Sequence, residues 1–446
     1  MKSEIQKLVE QRNFVALKQK LAAMEAADIA ELVGELDGKE MGVVFRLLST
    51  DKAAEVFSHL DLDKQERLIE ILSGEAMFKI LNEMSPDDRT ELFEELPDDV
   101  AQRLIGGLSW AERQVAIDLL KYPEHSVGRL MTPEFVTIKP DWTVKQALEH
   151  IRKVARQKET INVVYVVDSA GRLIDDLELA DLVLADPDAT VDEIIDRHPV
   201  ALSATADQTE AVDMMKKYDA VALPVVDDKG VLVGIVTIDD VMDVAEEEDT
   251  EDFQKISGVI AFEEPYFATT FGEMLRKRLP CLIILAIAGI FTASGVALFE
   301  HSMGKDMLIL LVAFLPLLND SAGNTGSQIS ALVIRGLAVR EMRLDNWFSV
   351  FSREIRMGPS LGLFLGIIAC IIALIFGRPL KVALVLALSM VLALTVANLV
   401  GAMLPFVLKR IHLDPATTSG PLITTIMDIL TVVIYFTTGY VFLRAF

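Results

Sequence analysis

The chain has 446 residues, enough for three or four domains, and 52% of them are hydrophobic. A mean hydropathy of +0.38 excludes an ordinary soluble protein, and a formal net charge of −24 argues against nucleic acid as a partner. From residue 271 onward there are 14 Lys and Arg against 9 Asp and Glu, so the first 270 residues carry a net charge of −29. This acidic half predicts cations as ligands or partners, although a solvated acidic surface explains the charge equally well.

Two further features bear on compartment and chemistry. The N-terminal stretch MKSEIQKLVEQRNF contains no apolar run, so we predict no cleavable signal peptide and a cytoplasmic location for residues 1–270. Cys281 and Cys370 both lie in apolar segments, which indicates neither a disulfide framework nor a thiolate metal site. No nucleophile, base and orienting residue occur together in a recognisable motif, so an enzyme is the least expected class.

A twelve-residue repeat runs from Glu25 to Leu120. Ser, Asp or Pro often opens a unit, as the start of a helix requires. We predict one helix of about two turns per unit, stacked into an all-α superhelix over residues 1–128 that serves as a binding or lever surface. The apolar residues that close the units are Leu36, Leu48, Leu60, Leu72, Met84, Leu96, Leu108 and Leu120.

Residues 129–196 and 197–245 repeat one order of elements, a strand and a helix followed by β-rich runs around a turn. The second copy contains LPVVDDKGVLVGIVTIDDV, which resembles a cystathionine-β-synthase-type (CBS) domain, and the first copy matches less closely. A tandem pair of these α/β domains implies a regulatory module that senses adenine nucleotides or ions.

The resemblance to CBS domains also implies a nucleotide site. In the second domain, Gly234, Thr237 and Asp240 match the glycine, the hydroxyl and the ribose-binding acid of the motif, and in the first domain Asp181 matches the acid. Glu178 stands at the hydroxyl position of the first domain. A carboxylate there should repel phosphate, so we expect weak or absent ATP binding at that half-site.

A dense acidic run, DDVMDVAEEEDTED, follows the second CBS copy. Apolar residues interleave with the acids, and Val259 and Ile260 continue the helical spacing, so we predict a long connecting helix with residues 246–270 leading to the membrane. Its carboxylates destabilise one another unless a counter-ion lies between them, and hard divalent cations prefer such oxygen ligands. A solvated acidic helix is the alternative.

Five membrane helices are predicted in an α-helical transmembrane domain over residues 271–446. Basic residues before the first span, between the second and third, and before the fifth fall on one side, which the positive-inside rule assigns to the cytoplasm. The N-terminus is then cytoplasmic and the C-terminus extracytoplasmic. The predicted spans are about 279–299, 307–334, 357–376, 382–408 and 417–443.

Polar residues are few in these spans. Asp428 lies near the middle of the fifth, where a charge is expensive and indicates an ion pathway, with a hydrogen-bonded acid between packed helices as the alternative. We predict that NDSAGNTGSQ, with Gly323 and Gly326, interrupts the second span. In the third span, Gly358, Gly362 and Gly366 permit close helix contact, and a dimer seam is one candidate for it.

Several motifs together identify a family. PLLNDSAGNTGSQ and ALVIRGLA in the second span, ANLVGAMLPF in the fourth, and LDPATTSGPLITTIMD before and within the fifth resemble the MgtE family of magnesium channels, as do GIVTIDDVMDV and KAAEVFSHL in the soluble half. The resemblance implies a homodimer in the bacterial plasma (inner) membrane, in contact with lipid, with a pore on the two-fold axis. It also implies cytosolic domains that sense internal Mg²⁺ and close the pore.

The same resemblance assigns residues. It implies that Asp428 holds hydrated Mg²⁺ in the pore, with Asn324 and Asn398 in the pore-region motifs. Gly420 replaces a frequent Asn and Glu91 replaces an Asp, so selectivity and set-point are expected to differ. The residues that match cytosolic sensor positions are Asp87, Glu91, Asp219, Asp240, Asp243, Glu248, Glu251 and Asp252.

Two other hypotheses about function fit the sequence. An ion-coupled carrier for divalent cations such as Mg²⁺ or Co²⁺ could use the same Asp428 site. A CBS signalling module with the spans as a mere anchor is disfavoured by Asp428 and by the polar stretch of the second span.

Overall fold

The computed structural model describes residues 5, 7–9, 11–262, 266, 269–303, 305–339, 341–417 and 420–445. Parts of three predicted segments lie outside these residues: residues 1–4, 6 and 10 of the N-terminal domain, 263–265 and 267–268 of the connecting helix, and 418–419 of the fifth span. The chain divides into two compact units, Met1–Glu246 and Glu247–Phe446.

The N-terminal part of the first unit follows the twelve-residue repeat. Helices α2, α3 and α4 each contact the helix after next, and α7 contacts α9 in the same way. Of the eight apolar residues that close the repeats, Leu48 and Leu120 are half-buried and the rest are buried. The helices are α1 (Phe14–Leu21), α2 (Ala26–Gly34), α3 (Gly38–Leu47), α4 (Thr50–Ser58), α5 (Leu62–Ile71), α6 (Gly74–Glu83), α7 (Pro86–Glu95), α8 (Asp98–Gly107) and α9 (Trp110–Leu119).

Two copies of one small α/β arrangement follow the short helix α10 (Val127–Leu130). In each copy a short strand pairs parallel to a central strand, which pairs antiparallel to a third. The first copy contains β1 (Thr137–Ile138), α11 (Val144–Val154), β2 (Val163–Val167), β3 (Leu173–Glu178) and α12 (Leu179–Leu184). The second contains β4 (Leu202–Ser203), α13 (Gln208–Tyr218), β5 (Ala222–Val226) and β6 (Leu232–Thr237).

The register of the two sheets confirms that the copies are equivalent. Glu178 pairs with Val163, the first residue of β2, and Thr237 pairs with Ala222, the first residue of β5. Glu178 therefore occupies the structural position of Thr237, as the sequence predicted.

A single helix, α14 (Ile238–Ile256), follows β6 directly. It begins earlier and ends earlier than the predicted connecting segment. Gly258 has a φ of +77°, a left-handed conformation that commonly ends helices. Val259 and Ile260 therefore lie outside the helix, although their spacing predicted its continuation.

The second unit contains α15 (Phe271–Met303), α16 (Lys305–Val312), α17 (Leu315–Ala338), α18 (Trp347–Ile375), α19 (Leu380–Arg410) and α20 (Gly420–Ala445). Within the described residues, four segments are long and apolar enough to cross a membrane: Phe271–His301, Leu344–Ile375, Leu380–Arg410 and Gly420–Phe442. The predicted second span corresponds to α16 and α17 together.

The predicted interruption of the second span at NDSAGNTGSQ is wrong. Residues 319–328 lie inside the continuous helix α17, and the break falls before it, at Ala313–Phe314. Pro316 explains this position, because proline lacks the N–H and clashes with the carbonyl one turn earlier. The glycines serve helix contact instead: a Cβ on Gly323 would lie 2.9 Å from Thr424, and one on Gly326 would lie 2.9 Å from Ile423.

The glycine stripe of α18 packs within the chain, so its assignment to a dimer seam is wrong. A Cβ on Gly358 would lie 2.6 Å from the Cα of Thr395, and one on Gly362 would lie 2.5 Å from the Cα of Val391. Small residues let helix backbones approach in this way. The stripe therefore joins α18 to α19.

Candidate cation path and acidic cluster

Asp428 lies on α20, two turns into an otherwise apolar helix. Its side chain is half-buried and makes no hydrogen bond or ion pair with the described residues. The nearby hydroxyl groups of Thr424 and Thr425 both donate to the carbonyl of Pro421, at 2.8 and 2.9 Å. Asp428 is thus a carboxylate without a basic partner in the described part of the chain.

Polar side chains form a stripe along α17. Asp320, Asn324 and Gln328 follow one another at four-residue intervals, and all three are exposed in the single chain. Hydrocarbon cannot satisfy such groups, so in a membrane this face requires water or a protein partner. The structure thereby places the predicted Asn324 on an uncovered polar surface.

Helices α17, α19 and α20 approach closely beside Asp428. A Cβ on Gly326 of α17 would lie 3.5 Å from the carbonyl oxygen of Ala397 on α19 and 3.5 Å from the side chain of Met427 on α20. Ala397 precedes Asn398, and Met427 precedes Asp428. The turns that carry these two predicted residues therefore meet at the same glycine.

Asn398 has a partner that sequence reasoning missed. Its Nδ2 donates to Glu354 Oε2 at 3.0 Å, and both side chains are buried, with 2% and 6% of their surface exposed. The sequence placed the start of the third span at residue 357, but α18 begins at Trp347 and includes Glu354. Glu354 is therefore a second carboxylate inside an apolar helix, in addition to the half-buried Asp428. Gly358, one turn after Glu354, was the signal in the sequence that this face of α18 is buried.

The first unit brings predicted sensor residues together. Asp87, at the start of α7, is buried, and Asp240, in the first turn of α14, is half-buried. Burial and the charges of Asp88 and Glu159 raise the pKa of Asp87 to about 7. Burial and the charge of Asp87 raise the pKa of Asp240 to about 9, against the hydrogen bond that it accepts from Thr237. Each acid therefore favours its protonated form in the other's presence.

Two neighbours of this cluster, Asp88 and Glu159, were missed by the sequence analysis. Burial raises the pKa of Glu159, and the charges of Asp239 and Asp88 add to the effect. Glu159 comes from the first CBS copy, more than 70 residues from Asp87, so no local pattern could indicate it.

Ion pairs hold the segment that carries Asp87 in place. The fully buried Arg89 donates to Glu112 at 2.5 Å and to the carbonyl oxygen of Leu81 at 3.0 Å. Arg129 of α10 pairs with Glu94 of α7. These contacts fix α7 on both sides, and the acidic cluster sits at its N-terminal end.

The other predicted sensor residues are dispersed over the first unit. Glu91 is exposed one turn beyond Asp87, and Asp219 is exposed at the end of α13 with a left-handed φ of 52°. Asp243 is exposed on α14, and burial of part of its side chain, with the charges of Glu246 and Asp239, raises its pKa.

In the second unit, the remaining predicted sensor residues, Glu248, Glu251 and Asp252, are half-buried on α14. Lys255 pairs with Glu251 at 2.7 Å and with Asp414 at 3.1 Å. Burial and the charge of Asp414 raise the pKa of Asp252. Within the described residues, no group of three or more His, Cys, Asp or Glu side chains is arranged to hold a metal ion.

The predicted nucleotide residues have partners of their own. Thr237 donates to Asp240 at 2.5 Å, and a Cβ on Gly234 would lie 2.5 Å from the sulfur of Met131. Gly234 therefore permits a close contact inside the protein. In the first copy, Glu178 is exposed at the end of β3 and Asp181 lies in the first turn of α12.

Fold and site together define a class: an apolar helical domain with a carboxylate inside a helix, preceded by a pair of CBS domains and a helical repeat. Comparison with known families supports each part. Residues 315–438 match the MgtE model, described as a divalent cation transporter, and residues 24–125 match the MgtE intracellular N domain. Residues 127–188 and 191–247 match CBS domains.

Similar proteins extend this match over the whole chain. A magnesium transporter MgtE of Thermus thermophilus is 38% identical over 444 residues, covering 99% of this chain and 98% of that protein. A magnesium transporter MgtE of Bacillus subtilis is 31% identical, covering 95% of this chain and 88% of that protein. The chain belongs to the MgtE family.

Two solved structures match the soluble half. The cytosolic domain of the Mg²⁺ channel MgtE in complex with ATP is 38% identical, with a TM-score of 0.53, and covers 55% of this chain and all of that one. The soluble part of a magnesium transporter is 27% identical, with a TM-score of 0.52 over 55% of this chain.

Proposed function

We propose that this protein is a Mg²⁺-selective channel or transporter of the bacterial plasma membrane that mediates Mg²⁺ uptake. The observation that carries the proposal is Asp428, a carboxylate without a basic partner among the described residues, inside an apolar helix. Carboxylate, amide and carbonyl oxygens suit a hard cation, and Mg²⁺, which sheds water reluctantly, is commonly held through one or two carboxylates. The names of the relatives support the choice of ion.

The active form in this proposal is a homodimer with five membrane helices per chain, α16 and α17 together forming the second. The polar stripe of Asp320, Asn324 and Gln328 supports it, because a second copy would cover this face and enclose an aqueous path between the two stripes. The N-terminus is cytoplasmic and the C-terminus extracytoplasmic, as the basic loops predict.

Regulation by internal Mg²⁺ is assigned to the cytosolic acids. Asp87 and Asp240 disfavour each other's ionised form, and a divalent cation between them would replace a proton and remove the repulsion. Occupied sites would hold α7 against the second CBS copy and favour the closed pore. ATP binding is proposed for the second CBS half-site only, with support from the ATP complex of the relative.

The test is ion flux through the purified protein in proteoliposomes, with Mg²⁺ varied separately on each side. Uptake that falls as Mg²⁺ rises on the cytoplasmic side is expected, and absence of Mg²⁺ flux in both directions would disprove the proposal. A coupled carrier with the same Asp428 site is the second candidate. A linear current-voltage relation without dependence on Na⁺ or H⁺ gradients would exclude it.

A further inference from the structure

The outer face of α18 carries a further inference. Residues that follow one another at intervals of three or four share one face of a helix. On α18 such a series begins with polar residues, and all four of them are exposed in the described part of the chain: Ser349, Arg353, Arg356 and Ser360. The series lies opposite the face that is buried against α19, which carries Glu354, Gly358 and Gly362.

The same face becomes apolar further along the helix. The spacing continues through Leu363 to Ile367, Ile371 and Leu374, and these side chains are also exposed. Because α18 belongs to a segment apolar enough to cross a membrane, an uncovered apolar face of this kind suits contact with acyl chains. One face of α18 thus presents two arginines at one end and hydrocarbon side chains at the other.

The length of the helix sets the depth of the arginines. About 20 helical residues cross the hydrocarbon core of a bilayer, which is about 30 Å thick. Counted back from Ile375, the last residue of α18, this length ends near Arg356. Arg353 lies about 4.5 Å further out, at a rise of about 1.5 Å per residue. Both arginines therefore lie at the boundary between hydrocarbon and lipid headgroups, which is where phosphate groups are found.

Neither arginine has an anionic partner in the described part of the chain. The acid between them, Glu354, is buried on the other face and accepts a hydrogen bond from Asn398. Nε of Arg356 donates to the carbonyl oxygen of Ser352 at 2.9 Å, within its own helix. A guanidinium group at the edge of the hydrocarbon is costly without a counter-charge. The anion that balances these two groups must therefore come from their surroundings.

We propose that the outer face of α18 binds an anionic phospholipid. Side chains three residues apart on a helix are neighbours, about 5–6 Å between Cβ atoms, so Arg353 and Arg356 can both donate to one phosphate group. An acyl chain of the same lipid lies along Ile367 and Ile371. No carboxylate on this face can receive an ammonium group, so the site favours a headgroup with net negative charge, such as phosphatidylglycerol, over a zwitterionic one. The inference rests on the position of α18 in a membrane and not on the ion that the protein carries.

The test uses the full-length protein in detergent. Native mass spectrometry measures retained lipid, and thermal unfolding is followed with added phosphatidylglycerol, phosphatidylcholine or inorganic phosphate. The test variant is Arg353→Gln/Arg356→Gln. The matched control is Arg335→Gln/Arg410→Gln, which removes the same charge from exposed arginines in the last turns of α17 and α19.

The unmodified protein is expected to retain phosphatidylglycerol, which should raise the Tm more than phosphatidylcholine does. Arg353→Gln/Arg356→Gln should raise the half-saturating concentration of phosphatidylglycerol by at least about tenfold, because two charge-assisted hydrogen-bonding groups are lost. The control variant should bind as the unmodified protein does. Inorganic phosphate should leave the Tm unchanged, since it cannot occupy the apolar half of the face. Arg353→Gln and Arg356→Gln, each expected to lose part of the affinity, decide the question if the double variant does not fold.

Four results would overturn the lipid site. Equal binding of phosphatidylglycerol and phosphatidylcholine to the unmodified protein would exclude a preference for anionic lipid, and equal losses in the test and control variants would show only a general attraction by basic residues. Stabilisation by inorganic phosphate alone would indicate a site for soluble anions. A smaller species in size-exclusion chromatography of the test variant would assign the face to a contact between two copies of the chain. None of these measurements depends on ion flux, so failure of the proposed function would be seen separately, as absence of Mg²⁺ flux.

Discussion

The acidic cluster of the first unit and the carboxylates inside the apolar helices of the second lie in opposite surroundings. In the first unit, Asp87 and Asp240 lie among other acids, which raise one another's pKa. In the second unit, Asp428 has no charged partner among the described residues, and Glu354 is held by a single amide. A cation relieves the repulsion among crowded acids, so their interactions depend on cation concentration. An isolated acid in an apolar helix has no such repulsion to relieve, and what it contributes is a negative charge at one depth of the helix.

The largest effect is expected from Asp428→Asn, which should abolish Mg²⁺ uptake while the protein still folds and dimerises, because an isolated acid has no neighbour to substitute for it. Flux in proteoliposomes and elution volume in size-exclusion chromatography are the measurements. Asp428→Glu should also impair flux, since one added methylene displaces the charge. Thr438→Val, on the same helix and bonded within it, is the control. Normal flux in Asp428→Asn would remove Asp428 from the pathway.

The crowded acids should instead be replaceable without loss of conduction. Neutralising Asp240, Asp243, Glu248 and Glu251 to Asn or Gln should raise the Mg²⁺ concentration needed for closure by at least about tenfold, because a full shift of a two-state equilibrium takes about 5.5 kcal/mol, shared among several sites. Flux against cytoplasmic Mg²⁺ is the measurement, together with Mg²⁺ protection of the 246–262 segment from protease.

The matched control for that variant neutralises four exposed acids of the first unit, Asp28, Asp141, Glu149 and Glu210. It makes the same change in net charge and should close at the Mg²⁺ concentration of the unmodified protein. If the sensor variant also closes there, the acidic helix is a solvated surface and the sensing residues lie elsewhere.

A smaller effect is expected from pH without Mg²⁺. Since the pKa values of Asp87 and Asp240 are raised on folding, their contribution to stability is complete below about pH 4 and is lost as pH rises through about 7 and about 9. The Tm should fall over this range, by about 2–4 °C per kcal/mol, and added Mg²⁺ should oppose the fall. Tryptophan fluorescence of the full-length protein in detergent follows the transition.

Asp240→Asn should flatten this pH profile, and Glu149→Gln, which changes an exposed acid, should leave it unchanged. A wild-type slope in Asp240→Asn would show that the acids in this cluster do not control the contact between α7 and the second CBS copy.

The smallest effect concerns nucleotide. Calorimetry with ATP on the full-length protein should detect at most one site per chain, because Glu178 places negative charge where phosphate must approach in the first CBS copy. Glu178→Thr should strengthen binding there, and Asp181→Asn should change little. Submillimolar affinity that disappears in Asp181→Asn would contradict the expectation.

Much of this protein is encoded in local patterns. The twelve-residue repeat predicted the helices from α2 to α9, and the repeated CBS motif predicted that Glu178 and Thr237 are equivalent, as the strand register confirms. The length of the apolar segment 417–443 was enough to predict that Asp428 lies inside an apolar helix. Such features depend on residues a few positions apart, so the sequence displays them directly.

Only the tertiary structure decided which polar residues meet. Glu354 stands among arginines outside the apolar run, but α18 begins seven residues before it and buries it against Asn398, 44 residues away. Glu159 approaches the Asp87 cluster from another domain, and the α18 glycines pack on α19. Mean hydropathy averages the polarity of neighbouring residues in the sequence. It does not indicate which face of a helix is covered, because that depends on partners distant in sequence.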